Sequence, residues 1–127
     1  MNSKLILGTV QFGLEYGVNN TTGKIKKYEV LQLLNNAYDN GIRYLDTAEL
    51  YGNSHDLIGE FHKKNHGLIF KIITKFPHNI NNNSIKAKVF NYIKSLNVKN
   101  LEVLMFHSYD SFQINYNKLE LLKKLKS

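Results

Sequence analysis

What most limits the folds open to this chain is the order in which two hydrophobic periods alternate along it. Four short apolar runs, Lys4 to Gly8, Ile42 to Asp46, Leu68 to Lys75 and Leu101 to Phe106, have the length and the β-branched or aromatic content of strands. A stretch with apolar residues at helical spacing follows each of them. Between Tyr28 and Asn40, the residues Val30, Leu33, Leu34, Ala37 and Tyr38 recur at i, i+3, i+4, i+7 and i+8, which is one buried face. Gly41 stands where a left-handed C-terminal cap needs a glycine. Asn53 or Ser54 can cap a second helix that runs to about Lys64 and turns Leu57, Ile58 and Phe61 inward. Asn83 or Ser84 caps a third, with Ile85, Val89, Tyr92, Ile93 and Leu96 on one side. A fourth, Asn115 to Lys126, directs Leu119, Leu122 and Leu125 inward and gathers lysines in its last turn, where the helix dipole favours cations.

The result is β-α repeated four times, an α/β pattern that implies parallel strands with right-handed crossovers. The run Leu68 to Lys75 is nearly continuous in hydrophobicity, as in a strand buried on both faces. A long glycine-punctuated loop containing Gly8, Gly13, Gly17 and Gly23 follows the first strand. Gly8 and Gly13 have P-loop spacing, but Leu14-Glu15 stands where Lys-Ser/Thr is required, which excludes that site. Pro77 and the Asn79 to Asn83 cluster break the chain before the third helix. Composition never shifts as at a linker, so residues 1–127 read as one domain.

Hydrophobic residues make up 43% of the chain, enough for a core. With no cysteine, disulfides, thiolate metal sites and a cysteine nucleophile are excluded. The net charge of +7 comes from lysines spread along the chain, with Arg43 the single arginine. Spread lysine without the base-reading arginine is a compositional bias rather than a nucleic-acid footprint. The three-residue apolar run after Lys4 is too short for a signal peptide, and no stretch approaches the roughly 18 apolar residues of a membrane span. A cytoplasmic location is expected, where the acceptor patterns Asn19-Asn20-Thr21 and Asn82-Asn83-Ser84 never meet the glycosylation machinery. His62 and His66 have a metal-binding spacing but no evident third ligand, and they read as a surface pair; no metal site is expected.

In parallel α/β sheets, function gathers at the carboxyl ends of the strands. Asp46, Lys75 and His107 end three consecutive strands here, and Tyr51 lies in the loop after the second. Singly, each has a plain reading: Asp46 a turn or cap, Tyr51 a packing residue, Lys75 a solvated strand end, His107 a structural histidine. Together they suggest one site. A free phenol holds its proton too tightly to release it near neutrality, and an ammonium within a few ångströms favours the phenolate. A carboxylate keeps that ammonium charged and oriented, and a neighbouring imidazole can donate to a carbonyl oxygen. The set suits an acid that protonates an oxygen as charge develops there. No Ser-His-Asp arrangement for acyl transfer is apparent.

The run Asp46-Thr47-Ala48-Glu49-Leu50-Tyr51-Gly52-Asn53-Ser54, with Leu57-Ile58-Gly59 after it, strongly resembles the aldo/keto reductase signature. Gly8-Thr9-Val10-Gln11-Phe12-Gly13 is similar to that family's first strand end. Ile72-Ile73-Thr74-Lys75 and Val103-Leu104-Met105-Phe106-His107 look like its third and fourth. The resemblance implies an NADP(H)-dependent carbonyl reductase on a (β/α)8 TIM barrel. In that scheme Tyr51 is the general acid, Lys75 eases its proton loss, Asp46 pairs with Lys75, and His107 orients a small carbonyl substrate. Gly8, Thr9 and Asp46 would lie at the cofactor. His55 departs from the family, which has an acidic residue there, and Glu102 replaces a common aspartate.

A (β/α)8 barrel takes about 250 residues. The 127 here resemble its N-terminal half, with the tetrad present and most of the cofactor grip missing, so the isolated chain is expected to be truncated and inactive. A half barrel has two open sheet edges, which seek a second copy or a complementary half. The competing readings are a non-catalytic half-barrel interaction module and an inactive truncated gene product.

Overall fold

The computed structural model describes residues 4–81 and 84–125. Its elements are β1 (Ile6–Gly8), α1 (Val10–Gly13), α2 (Lys27–Asp39), β2 (Tyr44–Asp46), α3 (Ser54–Lys64), β3 (Lys71–Lys75), α4 (Ile85–Leu96), β4 (Val103–Met105), α5 (Tyr109–Ile114), a 3-10 turn (Tyr116–Lys118) and α6 (Leu119–Leu125). The four strands form one parallel sheet in the order β1-β2-β3-β4. This is the alternation the hydrophobic periods dictate. The regular ladders are shorter than the apolar runs: outside them Leu5 and Ile69 are exposed, while Ile42, Leu68, Phe70, Leu101 and Phe106 belong to or pack against the core.

That core lies between the sheet and the helices. Leu45 and Ile72 of the sheet are buried with Val30, Leu34 and Ala37 of α2, Leu57, Ile58 and Phe61 of α3, and Ile85, Tyr92 and Leu96 of α4. The helical stripes read from spacing are the buried ones. Gly41 ends α2 with φ 84°, in the left-handed region where a side chain would be strained. Gly59 lets α3 and α4 touch, since a Cβ there would lie 1.8 Å from the Ser95 carbonyl oxygen. His62 is fully buried, not a surface residue. Its Nδ1–H donates to the Leu96 carbonyl (2.7 Å) and its Nε2 accepts from the Phe70 amide (3.1 Å), so one imidazole joins α3, the end of α4 and the start of β3. Burial holds it below the usual histidine range, against the opposing pull of the Leu96 carbonyl.

Four other expectations change. β3 is not buried on both faces: Ile72 and Thr74 are buried while Lys71 is exposed and Ile73 and Lys75 are half-buried. The glycine-rich loop contains a helical turn, α1, which buries Phe12 in the core. The last helix is not continuous from Asn115, whose side chain bonds back to the Ser111 carbonyl and ends α5. The chain restarts as a 3-10 turn and α6, where Leu122 packs on the core and Leu125 is exposed. Finally, neither Asn53 nor Ser84 makes a capping bond to its helix. Asn83 and Lys126 lie outside the described residues. Among the described residues, no helix is long and apolar enough to cross a membrane.

Candidate active site

Register places the site. Gly8 pairs with Asp46, Asp46 with Ile73 and Ile73 with Val103, while Lys75 pairs with Met105. Residues two apart on a strand share a face, so Gly8, Asp46, Ile73 and Lys75 all stand on the face away from the helices. Lys75, with its side chain only 12% exposed, donates from Nζ to Asp46 Oδ1 and to the Thr47 carbonyl (3.1 Å). The same ammonium lies 5.2 Å from the centre of the Tyr51 ring. Tyr51 in turn meets His107 edge-on, ring centres 6.3 Å apart. The four residues singled out in sequence are one cluster.

Backbone contacts fix the loop that carries Tyr51. Gly13 and Gly52 approach so closely that a Cβ on Gly13 would lie 1.7 Å from the Tyr51 carbonyl oxygen, and one on Gly52 2.4 Å from the Gly13 oxygen. Gly52 also has φ 55°. Behind them three hydroxyls interlock. Thr9 Oγ1 donates to the Asp46 carbonyl (3.0 Å), and Ser54 Oγ lies 3.0 Å from Thr9 Oγ1 and 3.1 Å from Thr47 Oγ1. Thr9 is therefore fully buried and its hydroxyl is engaged in joining β1 to β2, whereas Gly8 is exposed and a Cβ there would meet nothing within 4 Å.

A second set of polar residues, missed in sequence, supports the loop from the helix side. Glu49 accepts two bonds from Lys88 Nζ (2.7 and 3.0 Å) and one from the Tyr92 hydroxyl, and its amide donates to the Lys75 carbonyl (3.2 Å). Burial, then the Glu49 carboxylate, pushes the Tyr92 hydroxyl up so far that it remains a donor throughout the working range. His55 bonds to Thr74 Oγ1 (2.9 Å) and packs edge-on to Tyr92. Burial lowers its pKa to about 4, against the opposing charges of Asp56 and Glu49. The departure from the family pattern at this position is thus a neutral core histidine. Its signal was present: His55, Ile58 and His62 are spaced i, i+3, i+7, on the buried stripe.

His107 is half-buried, and its Nδ1 is buried without a hydrogen-bond partner among the described residues. Burial first, then the charges of His78 and Lys75, hold it below the usual histidine range. Among the described residues, no group of three or more His, Asp or Glu side chains could hold a metal. The arrangement offers an ammonium-supported phenol beside a neutral imidazole, which suits proton transfer to a carbonyl oxygen.

Comparison with known proteins agrees with this geometry. The Aldo/keto reductase family profile matches residues 4–127. Among solved structures, a provisionally assigned aldo-keto reductase from Pseudomonas aeruginosa superposes with a TM-score of 0.76 at 27% identity, over 98% of this chain and 52% of that one. A second structure from the same organism gives 0.73 at 26% identity, over 97% and 51%. An aldo-keto reductase from Klebsiella pneumoniae, solved with NADPH, shares the fold with a TM-score of 0.60 at 16% identity, over 91% and 41%. No curated protein sequence matches. The chain spans about half the length of these solved relatives, and its four βα units correspond to the first half of their TIM barrel. With its profile match covering nearly every residue, the chain belongs to the aldo/keto reductase family.

Proposed function

We propose that this chain supplies the proton-transfer half of an NADP(H)-dependent carbonyl reductase, with Tyr51 as general acid and a small aldehyde or ketone as substrate. The observation that carries the reading is the Lys75 ammonium, bonded to Asp46 and poised over the Tyr51 ring. As the carbonyl is reduced, Tyr51 gives its proton to the oxygen. Lys75 stabilises the phenolate left behind, and Asp46 and the Thr47 carbonyl hold Lys75 in place. His107, edge-on to Tyr51, donates to the same oxygen and orients it.

The residues fit the nicotinamide end of the cofactor. Gly8 leaves an open surface in register with Asp46, where a flat ring can lie, and Thr9 holds that strand edge rigid. When bound, NADP(H) supplies the hydride that reaches the carbonyl carbon. The Klebsiella neighbour's NADPH supports the choice of cofactor. The test is calorimetric titration with NADPH and an aldehyde turnover assay, on the chain alone and after adding the second half of the Pseudomonas barrel. Turnover is expected only in the completed form. There Tyr51→Phe should lower it about 100-fold or more with NADPH binding retained. Equal turnover in wild type and Tyr51→Phe would remove Tyr51 from the role.

A second reading is favoured by Ile6, Val103 and Met105, which are exposed on the face away from the helices. In it the sheet is a non-catalytic module that closes on a complementary βα array, a second copy included, through its open edges. Sedimentation at high concentration should then show a dimer. A well-behaved monomer counts against this reading.

A further inference from the structure

We propose that two copies of this chain join into one eight-stranded barrel, the β1 edge of each lying parallel to the β4 edge of the other, with Met105 of one copy opposite Ile6 of the second. The proposal deepens the open-edge reading by naming the partner and the joint, and it is independent of the reductase reading.

The chain has surface to spare. It exposes 8315 Å², against roughly 6,900 Å² for a compact monomer of 14.7 kDa. The excess of about 1,400 Å² is larger than the roughly 800 Å² that each partner buries in a standard interface. Large apolar side chains are exposed at both edges of the sheet. At β1 they are Leu5 (66%) and Ile6 (53%), and on β4 they are Val103 and Met105. Beside β4 runs a groove lined by Val89 and Ile93 of α4, Leu101 and Leu104, and Leu122 and Leu125 of α6. Among the described residues, β1 has only β2 as a neighbouring strand and β4 only β3. Such edges are templates for a further strand.

The register of the ladder dictates how the edges meet. The line of paired residues through Gly8 crosses β2 at Asp46, β3 at Ile73 and β4 at Val103. The clustered strand ends are Asp46, Lys75 and His107, so the line has fallen two residues behind them at β3 and four at β4. A (β/α)8 barrel has a shear of about eight residues in a full circuit, hence about four in half of one. With a two-fold axis along the barrel, the line leaving Val103 must therefore arrive at Lys4 of the second copy rather than at its Gly8. Leu104 then falls opposite Leu5, Met105 opposite Ile6 and Phe106 opposite Leu7. This register follows from shear alone, yet it pairs the exposed apolar residues of one edge with those of the other. Leu5 and Leu7 are on the helix side of their strand, as Leu104 is, so Leu5 enters the groove. Lys4 comes one position from the residue opposite Glu102, an acid that Lys71 approaches to 3.9 Å. The same joint forms on the opposite side, and the ring closes at two copies. Two residues past Ile6, Gly8 of the second copy comes level with His107, so both copies border each candidate site. A separated chain keeps its inner face open.

The test is sedimentation of the full chain at rising concentration, which should show a species of twice the chain mass that reverts to monomer on dilution. The chain has no cysteine, so an introduced pair reports a single contact. Ile6→Cys with Met105→Cys should oxidise to a covalent dimer, while Ile6→Cys with Val103→Cys, out of register, should not. Within one chain these positions are three strands apart, beyond the reach of a disulfide. Met105→Glu sets a charge opposite Ile6 and should weaken association about tenfold or more, with the circular dichroism of the monomer unchanged because the site is exposed there. It supplies the reading if the cysteine variants misfold. A monomer at every concentration, association undiminished in Met105→Glu, or cross-linking of the out-of-register pair in place of the other would each overturn the proposal. A chain that stays monomeric alone but pairs with the second half of the Pseudomonas barrel would overturn the second copy as partner and uphold the open-edge reading. None of these readouts requires turnover, so the reductase reading stands or falls separately.

Discussion

On the helix side of the sheet, Leu45 and Ile72 have no appreciable exposure and pack among Leu34, Ile58 and Phe61. On the other side, the residues of the same sheet tell a different story: Ile73 is half-buried, Ile6 is 53% exposed, and Asp46 and Lys75 share an ion pair. One strand thus carries apolar burial on one set of alternate residues and polar, charged groups on the other. Apolar burial of roughly 25 cal/mol per Å² concentrates on the first set, and charge is tolerated on the second because little is packed against it. The division explains how these four units can hold the cluster of Asp46, Tyr51, Lys75 and His107: the helix-side core that positions it is made within them.

Substitutions can break or sharpen this contrast. The largest effect is expected at Leu45→Ala, which removes a fully buried side chain between sheet and helices and should cost about 4 kcal/mol in denaturant unfolding. A loss below ~1 kcal/mol would mean that the core is not the source of stability. Gly13→Ala should cost about 3 kcal/mol, since the added methyl collides with the Tyr51 carbonyl. It should also shift the Tyr51 and His107 resonances, and if those stay in place the glycine pair does not locate Tyr51.

Acid gives the next effect. His55 has its pKa lowered to about 4 in the fold against 6.5 for an ordinary histidine, so the unfolded chain takes up a proton first as pH falls. The stability tied to a neutral His55 is complete above pH 6.5 and drains away toward pH 4, by up to about 3 kcal/mol. His62 shifts in the same direction. His55→Gln should flatten the drop between pH 7 and pH 4.5, and an equally steep loss in that variant would locate the acid sensitivity elsewhere. The smallest effect is expected on the open face, where Ile73→Ala should cost less than about 1 kcal/mol beside the Leu45→Ala loss. Comparable losses would show that the second face is covered, for instance by another copy.

The sequence carried the architecture because helical and strand periods are local and survive without tertiary context. Val30, Leu34, Ile58 and Tyr92 were legible by spacing alone. The clustering of the four candidate residues was legible because parallel strands deliver their carboxyl ends to one edge, so Asp46, Lys75 and His107 needed only strand boundaries to be brought together. What was not legible depends on contacts between distant segments. Nothing near Gly13 announces a backbone contact with Gly52, and nothing near Glu49 announces Lys88 and Tyr92 on α4. His62 is a different failure. It sits four residues after Ile58, on the buried stripe, and polarity outweighed spacing although an imidazole with both nitrogens bonded is at home in a core. The break at Asn115 went unseen because the leucine spacing that marks the helix begins only at Leu119 and says nothing about the four residues before it, while the Asn115 side chain bonds back to the Ser111 carbonyl.

The contact of Gly13 with Gly52 also bears on how such a site could diversify. Tyr51 is located by backbone against backbone, and the residues around it in the loop, Leu50 and Asn53, are exposed. Their side chains can therefore be exchanged to reshape what approaches the phenol while the phenol itself stays where the two glycines hold it. In the proposed reductase, a loop anchored in this way would separate the choice of substrate from the placement of the acid, and a library at those two positions is a natural starting point for altering the first without loss of the second.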